Sequence, residues 1–201
     1  MVAWHPSAHK NVIMEINNKY YLLRHGEAIS NIKQITSSWP ETFENPLTAN
    51  GKRQIKEAAK KLKGKHIEYI FASDLLRTKM TAGIVAKALK LEVKFDTRLR
   101  EVGFGDLNGR PAEELLYLGF EKERLGHSMR GAESYQGVLE RVRDFIEEIN
   151  ETYQGSTILI VSHQCPLWIL ENDIDGFSLS EGLERNPEEV RIGRGEIREL
   201  N

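Results

Sequence analysis

Three short and almost wholly apolar runs, residues 20–23, 69–72 and 157–161, dictate what this chain can fold into. Runs of that length with no polar alternation have no wet face, so they read as strands buried on both sides of a sheet. The segments between them carry a helical period instead. Ile55, Ala58, Ala59 and Leu62 recur at i, i+3, i+4 and i+7, with Thr48 placed to cap the helix and Gly64 to stop it. Val138, Leu139, Val142, Phe145, Ile146 and Ile149 mark a longer amphipathic helix, and Leu76, Met80, Ile84 and Ala88 predict one apolar face of another. Weaker signals predict strands over 12–16, 91–95 and 196–200 and a short helix over 115–120, with a glycine-rich loop across 99–110. Strands alternating with helices imply right-handed crossovers, hence an α/β three-layer sandwich with a mostly parallel central sheet between helices.

The 201 residues suit one domain, expected over 19–201, preceded by an extension over 1–18 that carries at most an edge strand. Met14 is an alternative natural start. With 28 Lys+Arg against 30 Asp+Glu, no basic face is expected to bind nucleic acid. The single cysteine, Cys165, rules out a disulfide within the chain and favours a reducing compartment. No apolar run is long enough for a bilayer and the N-terminus lacks a signal-peptide pattern, so the expected location is cytoplasmic, with no membrane partner. Monomer and dimer both fit this composition.

In parallel sheets ligands bind beyond the carboxyl ends of the strands. Here those ends carry Arg24-His25-Gly26-Glu27, Ser73-Asp74 followed by Arg77-Thr78, and Ser162-His163, with Arg100-Glu101 before the glycine-rich loop. In order and spacing these four pieces resemble the histidine phosphatase superfamily, with its phosphoglycerate mutase-like fold, over roughly residues 19–200. The resemblance implies a phosphomonoesterase that works through a phosphohistidine on a small phosphorylated metabolite and needs neither metal nor cofactor. It makes His25 the nucleophile, Arg24 and Arg77 the grip on the phosphoryl oxygens, His163 a hydrogen-bond donor to them, and Glu101 the acid that protonates the leaving oxygen. Asn31 and Gly26 are implied to contact or make room for the phosphate; Gln164, just after the second histidine where the family usually has Gly or Ala, departs from the pattern and is a candidate substrate-binding residue of the pocket wall. The physics agrees, because a phosphoryl group in transfer spreads negative charge that fixed guanidinium forks match.

Each residue has a plainer reading as well. His25 and His163 are potential core histidines, and Arg77 alone would pass for a surface helix arginine. Glu27 and Glu133 compete with Glu101 for the acid, although Glu27 fits better as a support that orients the pocket. His5 and His9 have metal-like spacing but no partner ligands nearby, while His66 and His127 read as ordinary polar positions. Cys165 is not a phosphatase nucleophile, since Glu171 stands where such a loop needs arginine; it reads as a small core residue at a helix start.

The family also contains phosphoglycerate mutases. Against that branch, Ala28-Ile29-Ser30 precede Asn31 where mutases typically carry tryptophan, and Val102-Gly103-Phe104-Gly105 follow Glu101 in place of a mutase-like Arg-His-Tyr-Gly stretch. The segment 109–133 is short for the mutase insertion, so hydrolysis is the first expectation. A mutase-type phosphotransferase, a non-catalytic phospho-ligand binding module and a phosphoprotein phosphatase are the alternatives. Substrate choice is expected to lie in 32–46, with Trp39 and Phe43, and in 111–135, with Tyr117, Arg124, His127 and Arg130, whose charges suit either a second anionic group or plain surface. The polar cluster Asn172-Asp173-Ile174-Asp175-Gly176 is expected to cut short the helix behind His163.

Overall fold

A computed structural model describes residues 16–116, 124–128, 130–185 and 190–200. The strands are β1 (Lys19–Arg24), β2 (Tyr69–Ala72), β3 (Val93–Phe95), β4 (Thr157–Ser162) and β5 (Ile197–Glu199). The helices are α1 (Ile29–Lys33), α2 (Ala49–Leu62), α3 (Leu76–Leu89), α4 (Glu113–Leu116), α5 (Tyr135–Thr152), α6 (Gln164–Ile174) and α7 (Leu179–Arg185). They form one sheet in the order β3-β2-β4-β1-β5, parallel except for β5. This is the α/β sandwich expected from the sequence.

The pleat divides the apolar runs between two cores. Tyr20, Leu22, Phe71, Ile158 and Ile160 pack with the α5 and α6 side, against Val138, Val142, Phe145 and Trp168. Tyr21, Leu23, Ile70, Ala72, Leu159 and Val161 pack with the α2 and α3 side, against Ile55, Ala58, Leu62, Ala82 and Val85. Both faces of the three central strands are therefore dry, which is why their sequence shows no alternation. Each fully buried Leu or Ile on these faces contributes about 1.5–3 kcal/mol of transfer free energy.

Most sequence-derived elements appear with ends shifted by a residue or two. Thr48 caps α2, its Oγ1 accepting from the Gly51 N–H at 2.9 Å, and the helix ends at Leu62, just before Gly64. The weak strand signals shorten to Val93–Phe95 and Ile197–Glu199, and α6 stops at Ile174 as the polar cluster predicts. The strand expected over 12–16 falls, except for Ile16, outside the described residues, as do Tyr117, His5, His9 and the end of the helix expected over 115–120.

The apolar positions of α3 share one face as expected, but that face is not the most buried one. Leu76, Met80, Ile84 and Ala88 are only half-buried, and the buried stripe is Arg77, Thr78, Thr81, Ala82, Val85 and Ala86. The threonines bury cheaply because their hydroxyls bond the helix's own carbonyls, Thr78 to Leu75 at 2.7 Å and Thr81 to Arg77 at 2.8 Å. That rotation carries the Arg77 guanidinium inward at the sheet's carboxyl edge, at the cost of half-exposing a more apolar stripe.

Candidate active site

Strand register alone assembles the centre. β1 and β4 pair Arg24 with Ser162, so His25 and His163 emerge side by side just past the strand ends. β2 and β4 pair Ala72 with Val161, which sets Ser73 beside Ser162. Backbone bonds lock the three tips together, His25 N–H to the Ser162 carbonyl at 3.1 Å and Ser73 N–H to Val161 at 3.0 Å. The rings of His25 and His163 lie edge to face with centroids 5.2 Å apart.

The hydrogen bonds around His25 define its tautomer. Nδ1 lies 2.8 Å from the Gly26 carbonyl, which can only accept, so Nδ1 carries the proton. Nε2 then holds a lone pair, and the Arg77 Nε–H donates to it at 3.2 Å. Burial drives the His25 pKa well below its ordinary value, and the charges of Arg77 and Arg24 push the same way. The ring is thus a neutral base whose free nitrogen faces a guanidinium.

His163 is fully buried, with Nε2 at 2.9 Å from the Ser73 hydroxyl and Nδ1 bonded to no protein atom. Burial again holds this ring neutral, reinforced by Arg77 and by His25. The Ser73 Oγ also receives the Leu75 N–H at 3.4 Å. The hydroxyl keeps a second lone pair, so this bond forms with either His163 tautomer; in the one where Ser73 donates to Nε2, His163 carries its proton on Nδ1 as a buried donor.

Arg77 is 2% exposed and reaches past His25 to Ser37, donating to its hydroxyl at 3.3 Å and its carbonyl at 3.0 Å. Burial lowers its pKa, while Glu101 and then Glu41 oppose that shift. Glu41 lies 3.8 Å away and also accepts the Leu76 N–H at the start of α3. Arg24 donates to the Ile192 carbonyl at 3.0 Å, tying the strand end to the 192–196 turn. Within that turn Gly195 N–H reaches the Arg24 carbonyl, and the exposed Arg194 adds positive charge at His25 and Glu27.

The remaining expected residues divide. Glu101 lines a cavity of about 500 Å³ whose lining includes neither imidazole. One of its carboxylate oxygens takes its neighbour's N–H, from Val102, at 3.0 Å. Glu133 lines the same cavity but is committed to Arg141 and to the Gly103 N–H at 3.0 Å. Glu27 binds Thr48 at 2.6 Å and Asn50 at 3.2 Å, which holds α2 against the loop after His25 and fits a supporting role. Asn31 uses its Oδ1 on the Ala28 N–H at 2.9 Å, capping α1. Gly26 is needed for packing: a Cβ there would meet the Gly51 carbonyl at 2.6 Å, so its close neighbour is α2. Gln164 is half-buried as the first residue of α6. Cys165 is buried beside it, and burial pushes its thiol up, away from any nucleophilic role.

Among the positions expected to choose substrate, Trp39 lines the cavity with its ring under the Arg100 guanidinium at 4.0 Å. Phe43 is half-buried, and His127 and Arg130 are exposed. Arg124 is a correction to the surface alternative: it is 1% exposed and spends its donors on the backbone carbonyls of Glu133 and Gly103. Ser37, Glu41 and Arg194 carry no sequence signal, because each reaches the centre from a loop whose path periodicity does not describe. Ser73 lay inside a quoted motif, but its partner is 90 residues away. Among the described residues no helix is long and apolar enough to cross a membrane.

Comparison with known proteins is consistent with this assembly. The model of the histidine phosphatase superfamily (branch 1) matches residues 20–196. A probable phosphoglycerate mutase, GpmB, of Salmonella arizonae is 35% identical over 162 residues, which is 78% of this chain and 74% of that protein. A putative alpha-ribazole-5'-P phosphatase from Escherichia coli superposes with a TM-score of 0.73 at 27% identity, covering 89% of this chain and 88% of that one. A mycobacterial glucosyl-3-phosphoglycerate phosphatase has the same fold, with a TM-score of 0.78 at 22% identity over 89% of this chain and 88% of that one.

Proposed function

The chain belongs to the histidine phosphatase superfamily, and on that premise we propose that it hydrolyses a small phosphomonoester through a phosphohistidine on His25. The observation that carries the reading is the neutral Nε2 of His25, its proton parked on Nδ1 against Gly26 and its lone pair facing the Arg77 guanidinium. A phosphoryl group approaching that nitrogen meets Arg77 and Arg24, whose fixed charges suit the negative charge of the transfer. Nε2 attacks phosphorus, the N–P bond forms as the P–O bond to the leaving group breaks, and Glu101 delivers the proton that the leaving oxygen takes up. The His163 Nδ1–H donates to a phosphoryl oxygen. In the second half Glu101 takes a proton from water as it attacks phosphorus, the N–P bond breaks, and His25 and inorganic phosphate are released. No step calls for a metal or cofactor, and no nucleic acid or membrane partner enters the reaction.

The first test is a panel of phosphorylated metabolites with EDTA present, reading free phosphate, together with an acid-labile, base-stable phosphoryl label on His25. The second reading, a mutase, is favoured by the GpmB relatives, whose printed name is probable phosphoglycerate mutase. Incubation with 3-phosphoglycerate and a bisphosphoglycerate primer decides between them. Free phosphate is expected; 2-phosphoglycerate formed without phosphate release would overturn hydrolysis in favour of the mutase.

A further inference from the structure

We infer that the cavity beside Glu101 is built for an electroneutral, hydroxyl-rich leaving group, a polyol or sugar, and that Asp74 and Glu133 determine this specificity by keeping a second anion out. The inference rests on the phosphatase reading, since it names the substrate class of that site.

Two arginines line this cavity, and on sequence grounds either would pass for a receptor of a carboxylate or second phosphate. Their geometry says otherwise. A guanidinium grips an oxyanion through an edge of two parallel N–H groups. Arg100 has one of its two edges on Asp74, with Nε donating at 2.7 Å and Nη2 at 2.6 Å, and its face lies on the Trp39 ring. Arg141 has its edge on Glu133, with Nε at 2.7 Å and Nη2 at 3.1 Å, and its third nitrogen donates to the Arg98 carbonyl. Both pairs are largely shielded, with side-chain exposures of 21% and 21% for Arg100 and Asp74 and 18% and 28% for Arg141 and Glu133. They are not loose surface pairs that an incoming anion displaces without penalty.

Among the described residues the local charges cancel: Glu133 and Asp74, which stands behind the lining, offset Arg141 and Arg100, while Glu101 enters the reaction as a protonated acid. The Arg100 hydrogen bonds hold the Asp74 carboxyl below the usual range, which keeps that charge in place. Neutral donors are consumed too, as the Asn108 side chain donates to the carbonyls of Ser38 and Pro40. What the wall has to spare is acceptor capacity, because a carboxylate accepts at about four lone-pair sites. Glu101 and Glu133 therefore suit hydroxyl donors, and the paired arginines leave a carboxylate no uncompensated cation to meet.

Glycerol 3-phosphate and 3-phosphoglycerate make a matched probe pair, differing only in a hydroxymethyl group against a carboxylate. Their binding to His25→Ala protein, followed by 31P NMR, reads the preference without turnover, and the lost imidazole is common to both. Glycerol 3-phosphate is expected to bind at least about tenfold more tightly. Equal binding, or a preference for 3-phosphoglycerate, overturns the inference. Adding Asp74→Asn or Glu133→Gln should move the ratio towards 3-phosphoglycerate by about threefold or more. An unmoved ratio in variants with native circular dichroism removes these carboxylates from the role, and where a variant fails to fold the wild-type cavity's own ratio still decides. Wild-type turnover of phenyl phosphate is measured alongside. Its absence, with the binding preference intact, counts against the phosphatase reading and not against the cavity assignment.

Discussion

The two ends of β1 are a natural experiment in how one strand uses polar groups. At its start, Tyr20 is fully buried and donates to Asn150 Oδ1 at 2.8 Å. The same oxygen takes the Asn18 amide at 3.2 Å, and Asn18 donates again to the Tyr153 carbonyl at 2.6 Å. That network ties β1 to α5 and to the approach of β4. At its other end, Arg24 and His25 meet Arg77, Ser73 and His163. Here like charges crowd together and two imidazoles are held neutral by burial. One end joins donors to acceptors and stabilises the fold. The other gathers like charges and desolvated bases, and such clusters mark chemistry more often than stability.

That contrast sets the expected effects of substitution. The largest belongs to His25→Ala, which should lower kcat by at least about a thousandfold, roughly 4 kcal/mol, because no second nucleophile faces phosphorus. The melting temperature should hold, and activity above a tenth of wild type would remove His25 from the proposal. Glu101→Gln should slow hydrolysis by about a hundredfold, with the greatest loss on esters whose leaving groups need a proton. Normal rates would send the search for the acid to Glu133. At the other end, Asn150→Ala should cost about 2 kcal/mol of stability by removing the oxygen that accepts from both the buried Tyr20 hydroxyl and the Asn18 amide. kcat/KM in the folded fraction should stay within about twofold of wild type, and a large kinetic loss there would break the division between the two ends.

The last effect is on pH. Unfolded imidazoles take up a proton at about pH 6.5, whereas His25 and His163 resist protonation to well below that when folded. Below pH 6.5 the unfolded chain therefore binds more protons, so the stability contributed by each neutral ring is fully present above that pH. It is lost as pH falls towards the folded pKa, by about 1.4 kcal/mol per pH unit for each ring. Urea unfolding of wild type and His25→Ala between pH 7 and pH 5 should show a shallower decline in the variant. Parallel declines would mean that His25 is not held neutral.

Much of this molecule was written locally. The apolar runs at 20–23, 69–72 and 157–161 are strands because nothing polar interrupts them, and the residues that end them are the residues at the site. Thr48 caps α2 because its hydroxyl and the Gly51 amide are three residues apart. The period of α3's apolar positions is local, but its most buried stripe is not, because that follows from the competing demand for Arg77 at the sheet edge. Asn31 and Gly26 sit in a motif associated with phosphate, yet the structure spends them on α1 and on the approach of α2.

By itself, then, the sequence determined the strands, the order of helices and the chemical kinds of residue at each strand tip, since those depend on neighbours in the chain. Tertiary structure decided which tips touch, on which nitrogen His25 carries its proton, and which arginines have their forks engaged. The Ser73 contact to His163 spans 90 residues and the Arg77 contact to His25 spans 52. Hydrogen-bond direction and burial at such distances follow from strand register and packing, which no local pattern encodes.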